Sequence, residues 1–472
     1  MSEAGERDTE ATGTATSVLD ALVIGAGATG LATAWSLARS GRSVAVLEAS
    51  SQIGGNLRTE HDGDWQIEHG PNTVIMKPPL YALLDELSLL DEALPANPAS
   101  SKRFIALDGQ PVALPNRLWK APGNALLGWS AWGGLLREPF VRRGPQDDES
   151  LAAFVRRRLG QRVLDRLVDP FVSGVYAGDP QRLSAKAAMP RLVELERAHG
   201  SLIRGGLARA FAARRQPPAM PREWRGTLFS FSQGLQRLAD RLGEAIVARP
   251  NARLACDRRI ERIERAGNGW VAEDHTGQRW QARHLVMTVP AHVAAALLAR
   301  HDSKLAELLA AIVYPPVSVV SLGFRQSDIG HPLDGFGLLL PRIEQRKTLG
   351  VLFPSTLFAG RAPAGHHLLN VFLGGRQSPE VAEQDDSALF EQALTDLSDL
   401  LTIRGEPVWQ RVVRWPRAIP QYETGHLDRL AAIDTALKAH AGLWLAGNWR
   451  DGVAVGDCLE NGRRLGETIA LR

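Results

Sequence analysis

Cysteine is scarce in this sequence, and its scarcity excludes two kinds of architecture. Cys256 and Cys458 are the only two cysteines among 472 residues, and neither belongs to a CxxC or Cys/His spacing. Two such residues do not make a disulfide framework or a small zinc module. The sequence therefore fits a protein of a reducing compartment.

A strong charge imbalance and long apolar segments are also missing. The net charge is only +3 at pH 7, which does not favour binding to nucleic acid. One of the longest stretches without a charged side chain, Leu308–Phe324, contains Pro315-Pro316. Tandem proline is poor for a membrane helix, so strands are expected there. Residues 1–16 are polar and acidic, and they predict a disordered tail rather than a signal or transit peptide. These features predict a cytoplasmic protein that does not span a membrane.

The sequence begins with the pattern of a βαβ unit. Residues 20–25 form a short apolar run that ends in glycine, which predicts a buried parallel strand. Residues 28–40 have helical spacing of apolar positions before Gly41, and residues 43–48 predict a second buried strand. Because 472 residues are too many for one core, two or three domains are expected.

The rest of the chain predicts a mixture of helices and strands, and hence an α/β (α+β mixed) class. Helical patterns cover 149–172, 184–214, 227–247 and 384–404. An antiparallel meander is expected over Arg253–Glu264, Gly269–Asp274 and Arg279–Thr288, and further strands within 312–375. Residues 443–472 predict a strand, a turn and a helix.

The first glycine cluster, Gly25-Ala26-Gly27-Ala28-Thr29-Gly30, has the chemistry of a dinucleotide site. Gly25 permits a tight turn, Gly27 lets the backbone approach a pyrophosphate, and Gly30 lets the helix pack close to the sheet. The helix N-terminus offers free N–H groups to the phosphates. Glu48 ends the second strand and can accept hydrogen bonds from ribose hydroxyls, while repelling a 2′-phosphate. Such a motif also occurs in unrelated loops, but here strand, helix, second strand and acid are in register.

Two further motifs extend this site. Gly54-Gly55-x-x-Arg58 is a second glycine turn with an arginine, and Glu68-His69-Gly70-Pro71-Asn72 is a turn that could place backbone donors near a flavin ring. Leu445–Asp457, more than four hundred residues after the first glycine cluster, predicts a strand, a glycine turn and the start of a helix. A cofactor held by both ends of a chain is typical of flavoproteins.

These motifs resemble a known family. Residues 47–59 look like the FAD fingerprint of the flavin amine oxidase superfamily. Within it, the later motifs are similar to those of the oxygen-dependent protoporphyrinogen oxidases, from about residue 20 to the C-terminus. The matching stretches are Glu68–Asn72, Ser173–Pro180, Tyr314–Val317, Gly335–Gly337, Ile419–Tyr422 and Gly452–Cys458.

The resemblance implies three regions around a Rossmann-like core. A discontinuous FAD-binding domain would comprise 17–95, 222–290 and 425–472. A mixed-sheet substrate domain would comprise 96–110 and 291–424, and an inserted helical domain, 111–221, would dock on membranes.

The resemblance also assigns residues to FAD. Ile260 would contact the adenine side, and Val453, Ala454 and Val455 the flavin side. Because Cys458 does not lie in the context of a flavin-linking cysteine, non-covalent FAD is expected. The full set of expected cofactor residues is Gly25, Ala26, Gly27, Ala28, Thr29, Gly30, Glu48, Ala49, Gly54, Gly55, Asn56, Arg58, Gly70, Pro71, Asn72, Thr73, Ile260, Gly447, Val453, Ala454 and Val455.

For the substrate, the resemblance implies one cation and an apolar slot. Arg103 would pair with a propionate of the tetrapyrrole, since its guanidinium is bidentate and always charged; Lys102 next to it is a rival. Phe336 and Leu322 would pack against the tetrapyrrole, although Leu322 fits ordinary core packing equally well. Gly174 and Gly178 would allow close backbone approach. A slot of this kind is also expected to admit diphenyl-ether inhibitors.

The reaction implied by the resemblance is oxidation of protoporphyrinogen IX to protoporphyrin IX. Six electrons would leave in three hydride transfers to flavin N5, with dioxygen as acceptor and hydrogen peroxide as by-product. The sequence shows no catalytic triad, carboxylate pair or metal cluster, so no catalytic protein residue and no metal are assigned. Within the resemblance, an arginine at position 103 favours protoporphyrinogen IX over coproporphyrinogen III, and the segments Tyr314–Val320 and Phe336–Pro341 look like those of the plant and Gram-negative bacterial type.

Other functions stay open at this stage. A flavin oxidase of amines or amino acids would carry Gly-Glu where this chain has Gly447-Asn448, and a carotenoid desaturase-like enzyme would lack Ser173–Pro180. A non-catalytic flavin-binding protein is a third alternative. Residues 118–141 combine Trp119, Trp129 and Trp132 with basic neighbours, which suits peripheral contact with the inner face of the cell membrane. Packing on the protein's own core would give the same pattern. A homodimer and hand-off of product to a ferrochelatase are further expectations.

Overall fold

The structure is a computed structural model that describes residues 18–115, 126, 128–144, 147–213 and 219–472. The predicted tail, residues 1–16, lies outside the described residues. So do Leu118, Trp119 and Leu127 of the predicted membrane-facing stretch, together with the side chains of Trp129 and Trp132.

Strands and helices alternate along the described residues. The strands are β1 (Leu19–Ile24), β2 (Val44–Leu47), β3 (Thr59–Asp62), β4 (Trp65–Glu68), β5 (Val74–Ile75), β6 (Ala93–Pro95), β7 (Lys102–Leu107), β8 (Gln110–Ala113), β9 (Leu228–Phe231), β10 (Ala252–Ala255), β11 (Ile260–Ala266), β12 (Gly269–Asp274), β13 (Arg279–Met287), β14 (Val317–Arg325), β15 (Gly335–Leu339), β16 (Thr348–Leu352), β17 (His366–Gly374), β18 (Trp409–Trp415) and β19 (Leu443–Leu445). The helices are α1 (Ala28–Arg39), α2 (Pro78–Glu86), α3 (Gly128–Arg137), α4 (Leu151–Leu159), α5 (Gln161–Val163), α6 (Asp169–Tyr176), α7 (Ala185–Ala188), α8 (Pro190–His199), α9 (Leu202–Ala213), α10 (Gln236–Val247), α11 (Ala291–Leu298), α12 (Ser303–Ala310), α13 (Pro354–Leu357), α14 (Pro379–Ala382), α15 (Asp386–Leu397), α16 (His426–Leu437) and α17 (Val455–Ala470).

The first large sheet has the order β10-β2-β1-β13-β12-β11, with β19 also paired to β13. β10, β2, β1, β13 and β19 are parallel, and every residue of β2 is buried. A short and wholly apolar strand is expected where helices cover both faces of a parallel sheet. The sheet therefore brings the carboxyl ends of β1 and β2 to one edge.

Two predicted elements of this region are wrong in part. β10 does not belong to an antiparallel meander but pairs in parallel with β2; Asp257, at φ +52, turns the chain before β11, and only β11, β12 and β13 are antiparallel. The helix predicted over 227–247 begins only at Gln236. Leu228–Phe231 form β9 instead, because Gly234 at φ +87 separates a strand from the helix.

Both ends of the chain meet on this sheet, because α1 and α17 pack against each other through glycine. A Cβ on Gly462 would collide with the carbonyl oxygen of Thr29, and one on Gly466 with that of Thr33. Backbone-to-backbone approach of this kind is open only to glycine. The first helix and the last helix thus form one layer, as the paired motifs at the two ends of the sequence suggest.

The second large sheet has the order β18-β14-β17-β16-β15-β7-β8. One face carries a core of Val320, Leu322 and Phe324 packed with α15. The other face carries Val317 and Val319, which pack with Ala177 just after α6. We call it the α6 face. Strands predicted within 312–375 are present, but the uncharged stretch Leu308–Phe324 begins in α12, which is capped by the Asp302 side chain, and becomes strand only at Val317.

Helices α3 to α9 form a separate cluster around its own core and a buried ion network. The guanidinium of Arg158 is fully buried and pairs with Glu138 and Glu196. Ser201 and the backbone N–H of Leu202 also donate to Glu138, which ties α9 to the turn after α3. Among the described residues, no helix is long and apolar enough to cross a membrane.

Candidate active site

The turn between β1 and α1 is shaped by its three glycines. Gly25 has φ +100, and its N–H donates to the carbonyl of Leu47 at 2.8 Å. A Cβ on Gly30 would collide with the carbonyl oxygen of Gly25, whereas a Cβ on Gly27 would meet no atom within 4 Å. Gly27 caps α1 without a side-chain acceptor, so the first N–H groups of the helix face an open cradle. This cradle fits a pyrophosphate.

The second glycine turn, Gly54-Gly55, packs against the first. The N–H of Gly54 donates to the carbonyl of Ala26 at 2.8 Å, and a Cβ on Gly55 would lie 3.2 Å from the Cα of Gly27. Gly54 has φ +108. A Cβ on Gly70 would collide with the carbonyl oxygen of Asn56, which places the third turn against the second. The three predicted glycine motifs therefore form one continuous backbone surface.

Glu48 lies directly after the carboxyl end of β2, at the position that the dinucleotide-binding motif predicts. One oxygen of its carboxylate accepts from the N–H of Ala26 at 2.8 Å, and the other from the N–H of Ser50 at 3.0 Å. The loop between β10 and β11 passes next to Glu48, because the N–H of Arg258 donates to the carbonyl of Glu48 at 2.7 Å. This contact brings β11, which begins at Ile260, to the same edge of the sheet.

The C-terminal motif supplies a second helix terminus. Gly447 and Gly452 have φ +141 and +130, and α17 starts behind them with no side-chain cap at Ala454. Because Gly462 contacts Thr29 and Gly466 contacts Thr33, α17 and α1 run parallel. Seven residues of α17 precede Gly462, so its first turn lies about 10 Å beyond the start of α1. Val453, Ala454 and Val455 therefore lie outward from the pyrophosphate cradle.

The turn His69–Asn72 joins this layer to the second sheet. The indole N–H of Trp415 donates to the carbonyl of His69 at 2.8 Å. The side-chain amide of Asn370 donates to Oδ1 of Asn72 at 3.0 Å, and Ser321 donates to Asn370 at 2.9 Å. Pro71 and Thr73 flank Asn72 within this turn. These bonds hold the turn on the α6 face, so the nucleotide layer and the α6 face border one site.

Arg103 and Phe336 meet at that face. The guanidinium carbon of Arg103 lies 5.3 Å from the centroid of the Phe336 ring. The pairing of β7 with β15 shifts between Gly335 and Leu338, so Phe336 and Gly337 stand opposite Arg103. Arg103 is exposed, and in the described part of the chain it pairs with no carboxylate. Lys102, its predicted rival, forms an ion pair with Asp334.

Leu322 is not brought to this site. Its side chain is fully buried on the α15 side of the sheet. Its neighbour Gly323 faces the other way, since a Cβ there would collide with the ring of Trp65. The alternative of ordinary core packing describes the position of Leu322.

Gly174 and Gly178 lie at the α6 face, but protein atoms already explain both glycines. A Cβ on Gly174 would collide with Cδ2 of Leu339. A Cβ on Gly178 would lie 2.8 Å from Oε1 of Gln421 and 3.0 Å from Cδ1 of Leu183. Two motifs far apart in sequence, Ser173–Pro180 and Ile419–Tyr422, therefore pack together.

Glu68 is a functional candidate whose partner sequence reasoning missed. Its carboxylate is buried and accepts from the N–H of Leu235 at 2.9 Å and from Thr59 at 2.8 Å, with Arg361 at 3.9 Å. Burial raises the pKa of Glu68 to about 7 in spite of these partners. Arg361 is 2% exposed on a loop, and nothing in its local sequence marks a buried arginine.

The geometry agrees with the comparison with known proteins. Residues 28–469 match the family described as "Flavin containing amine oxidoreductase". The chain belongs to this family, and it is an FAD-dependent oxidoreductase of mixed α/β fold, as predicted. The chloroplastic protoporphyrinogen oxidase of Nicotiana tabacum is 35% identical to it over 470 residues, which cover 94% of this chain and 84% of that relative. The coproporphyrinogen III oxidase of Propionibacterium freudenreichii subsp. freudenreichii is 28% identical over 504 residues, covering 98% and 92% of the two chains. A crystal structure of an Exiguobacterium sp. protein has the same fold, with a TM-score of 0.80, 24% identity, and coverage of 96% and 98%.

Proposed function

We propose that this chain oxidises protoporphyrinogen IX to protoporphyrin IX with dioxygen as the electron acceptor. The relationship to protoporphyrinogen oxidases supports this substrate class. The observation that carries the proposal is the position of Arg103 over the ring of Phe336, as a cation that pairs with no carboxylate among the residues that the structure describes. Both lie on the sheet face to which the turn His69–Asn72 is bonded. A flat apolar molecule with a carboxylate at one edge would satisfy this arrangement.

The residues around the glycine cradle would hold FAD. The N–H groups at the start of α1 would bind the pyrophosphate, Glu48 the ribose, and the backbone of Val453–Val455 the flavin edge. FAD bound there would supply two-electron oxidation chemistry, with dioxygen as the final acceptor of two electrons and two protons to give hydrogen peroxide. We expect FAD to be non-covalent, since Cys458 is buried and burial raises the pKa of its thiol to about 11.

The chain's own contribution would be binding, orientation and exclusion of water. Arg103 would fix one propionate, and Phe336 would contact the tetrapyrrole plane. The first turn of α17 presents uncapped N–H groups, which would stabilise negative charge on the reduced cofactor. Three rounds remove six electrons and consume three molecules of dioxygen per porphyrin. The four bridging carbons lose four hydrogens and the pyrrole nitrogens lose two, so the three hydrides would leave together with one C–H proton and two N–H protons; we assign no protein residue as acid or base for them.

We further propose peripheral contact with a membrane through the helical cluster. Leu136 and Phe140 are 73% and 79% exposed next to Arg137 and Arg142, and α9 packs beside them. Apolar side chains flanked by arginines suit a bilayer interface. Homodimer formation and hand-off of product to a ferrochelatase stay predictions.

The proposed substrate is tested by the initial rate of porphyrin fluorescence in air. Protoporphyrinogen IX and coproporphyrinogen III are compared at equal concentration with the FAD-loaded protein. A higher kcat/KM for protoporphyrinogen IX is expected. Preference for coproporphyrinogen III would move the substrate to the class of the Propionibacterium relative, and no turnover of either would refute the proposed function.

A further inference from the structure

The short segment Pro420–Tyr422 lies between two parts of the site that come from distant sequence. On one side is the end of α6, residues 176–178, which closes the α6 face. On the other is the turn 448–452, which precedes α17. Gln421 and Tyr422 are 2% and 7% exposed, and they are adjacent in the chain. Each side chain bonds to the backbone of a different part.

Gln421 holds the α6 side. Its amide nitrogen donates to the carbonyls of Tyr176 at 2.9 Å and Ile419 at 3.0 Å. Since both partners are acceptors only, the orientation of the amide is determined. Its Oε1 is buried without a donor among the described residues and lies against Gly178. A buried acceptor without a donor is costly, so a packing or positioning role is needed to explain it.

Other bonds support the same stretch of backbone. Ala177 has φ +47, a left-handed conformation that is uncommon for alanine. Its carbonyl accepts from the N–H of Arg376 at 2.7 Å, and the carbonyl of Gly178 accepts from the side chain of Gln377 at 3.2 Å. Backbone and side chains that follow β17 therefore hold the end of α6, and Gln421 reaches it from the segment that also carries Tyr422.

Tyr422 holds the flavin side. Its hydroxyl donates to the carbonyl of Asn448 and accepts from the N–H of Gly452 at 3.0 Å, thus bridging the two ends of the turn before α17. Its ring stacks on His426, with centroids 4.4 Å apart and planes inclined by 12°. His426 is fully buried, and burial lowers its pKa to about 4, so this stack is between neutral rings. The stack on His426 thereby fixes the direction of the Tyr422 hydroxyl towards Asn448 and Gly452.

We infer that Gln421 and Tyr422 are paired positioning residues that hold the substrate-side backbone 176–178 and the flavin-side turn 448–452 in one relative placement. The inference rests on the proposed function for its substrate arm only. Tyr422 acts through the orientation of the first turn of α17, and Gln421 through the end of α6. The two substitutions therefore affect different quantities, which a general loss of packing would not do.

Tyr422→Phe is expected to weaken FAD binding about tenfold, because the partly buried N–H of Gly452 and the carbonyl of Asn448 each lose a partner. It should also lower the flavin midpoint potential, since the helix terminus would stabilise the reduced cofactor less well. Tyr314→Phe is the matched control. The hydroxyl of Tyr314 likewise accepts from a backbone N–H, that of Ala291 at 3.0 Å, but it does so at the start of α11. The control should leave FAD affinity and the potential unchanged.

Gln421→Met keeps the length of the side chain and removes the amide. It is expected to raise KM for protoporphyrinogen IX about tenfold with the flavin potential unchanged, and to speed hydrogen exchange of the Gly178 amide in the substrate-free holoenzyme. The exchange readout and the FAD readout need no turnover. They therefore test the inference even when the proposed substrate is wrong.

Three results would overturn the inference. One is an equal fall in Tm for Tyr422→Phe and Tyr314→Phe with no change in FAD affinity or potential. Another is a shift of the potential by Gln421→Met as large as that caused by Tyr422→Phe. The third is unchanged exchange at Gly178 in Gln421→Met.

Discussion

Two charged side chains at neighbouring positions of β7 have different contacts, and the difference supports the binding role that we propose for one of them. Lys102 is neutralised by Asp334, whereas Arg103 lies over the face of Phe336 and is open to a ligand. We therefore propose that the same strand carries one structural cation, Lys102, and one cation for substrate recognition, Arg103.

Arg103→Ala is expected to raise KM for protoporphyrinogen IX about tenfold, as for the loss of one charged hydrogen bond at an exposed position. The control is Lys102→Ala, which removes a charge at the next residue and should leave KM nearly unchanged. Steady-state kinetics by porphyrin fluorescence measure both. An equal rise in KM for the two variants would contradict the assignment of Arg103.

Glu68 is expected to make the stability of the folded protein depend on pH. In the folded protein its pKa is about 7, above the ordinary value of 4.5. The folded state therefore holds the proton that the unfolded state has released, so this group lowers stability as pH rises from about 4.5 to about 7 and no further above that. Over the whole window the change is about 3 kcal/mol.

Glu68→Gln removes this titration. The Tm of the variant minus the Tm of the original protein should increase between about pH 4.5 and about pH 7 and then level off. Glu92→Gln is the control, because an ion pair with Arg237 lowers the pKa of Glu92 and places its titration below that range. A difference in Tm that is flat with pH for Glu68→Gln would refute the raised pKa.

At the scale of elements, the contact of α1 with α17 decides how the two ends of the chain share one cofactor. Gly462→Ala would place a methyl group on the carbonyl oxygen of Thr29. We expect a loss of about 1–3 kcal/mol of stability, as for overpacking, and weaker FAD binding. Gly206→Ala in α9, where a Cβ meets no atom within 4 Å, should be neutral or slightly stabilising. Thermal unfolding and FAD titration measure both, and tolerance of Gly462→Ala would contradict the packing.

The exposed surface at Leu136 and Phe140 is the element through which we expect membrane contact. Phe140→Glu should reduce co-sedimentation with anionic lipid vesicles several-fold, because it removes an apolar anchor and adds a repelled charge. Leu471→Glu is the control, since Leu471 is 89% exposed at the C-terminal end of the chain, just after α17. Equal loss for both variants would show only a general charge effect.

At the scale of the whole molecule, the glycine turns and Glu48 could be predicted from sequence because each is a local pattern with one chemical use. Asn370 and Trp415 could not, since their bonds to the turn His69–Asn72 join residues 298 and 346 positions apart. Leu322 shows a different limit. The first eight residues of β14 are all buried, so its sequence carries no alternation that tells one face from the other.

Long-range contacts of this kind join the turn His69–Asn72 to the second sheet, and the proposed site lies beside them. Local motifs thus indicate the proposed cofactor half of the site, whereas the proposed substrate half depends on contacts between distant residues. Arg103 and Phe336 come together across a shifted strand register. No local sequence pattern predicts that shift.

The central claim, that a flavin held by both ends of the chain oxidises a porphyrinogen lying on the α6 face, is tested most directly without dioxygen. The FAD-loaded protein is mixed anaerobically with protoporphyrinogen IX while the flavin absorbance is followed, and air is then admitted. We predict bleaching of the oxidised flavin, its return in air, and three molecules of hydrogen peroxide per porphyrin formed. A flavin that stays oxidised while porphyrin fluorescence does not appear would contradict the claim.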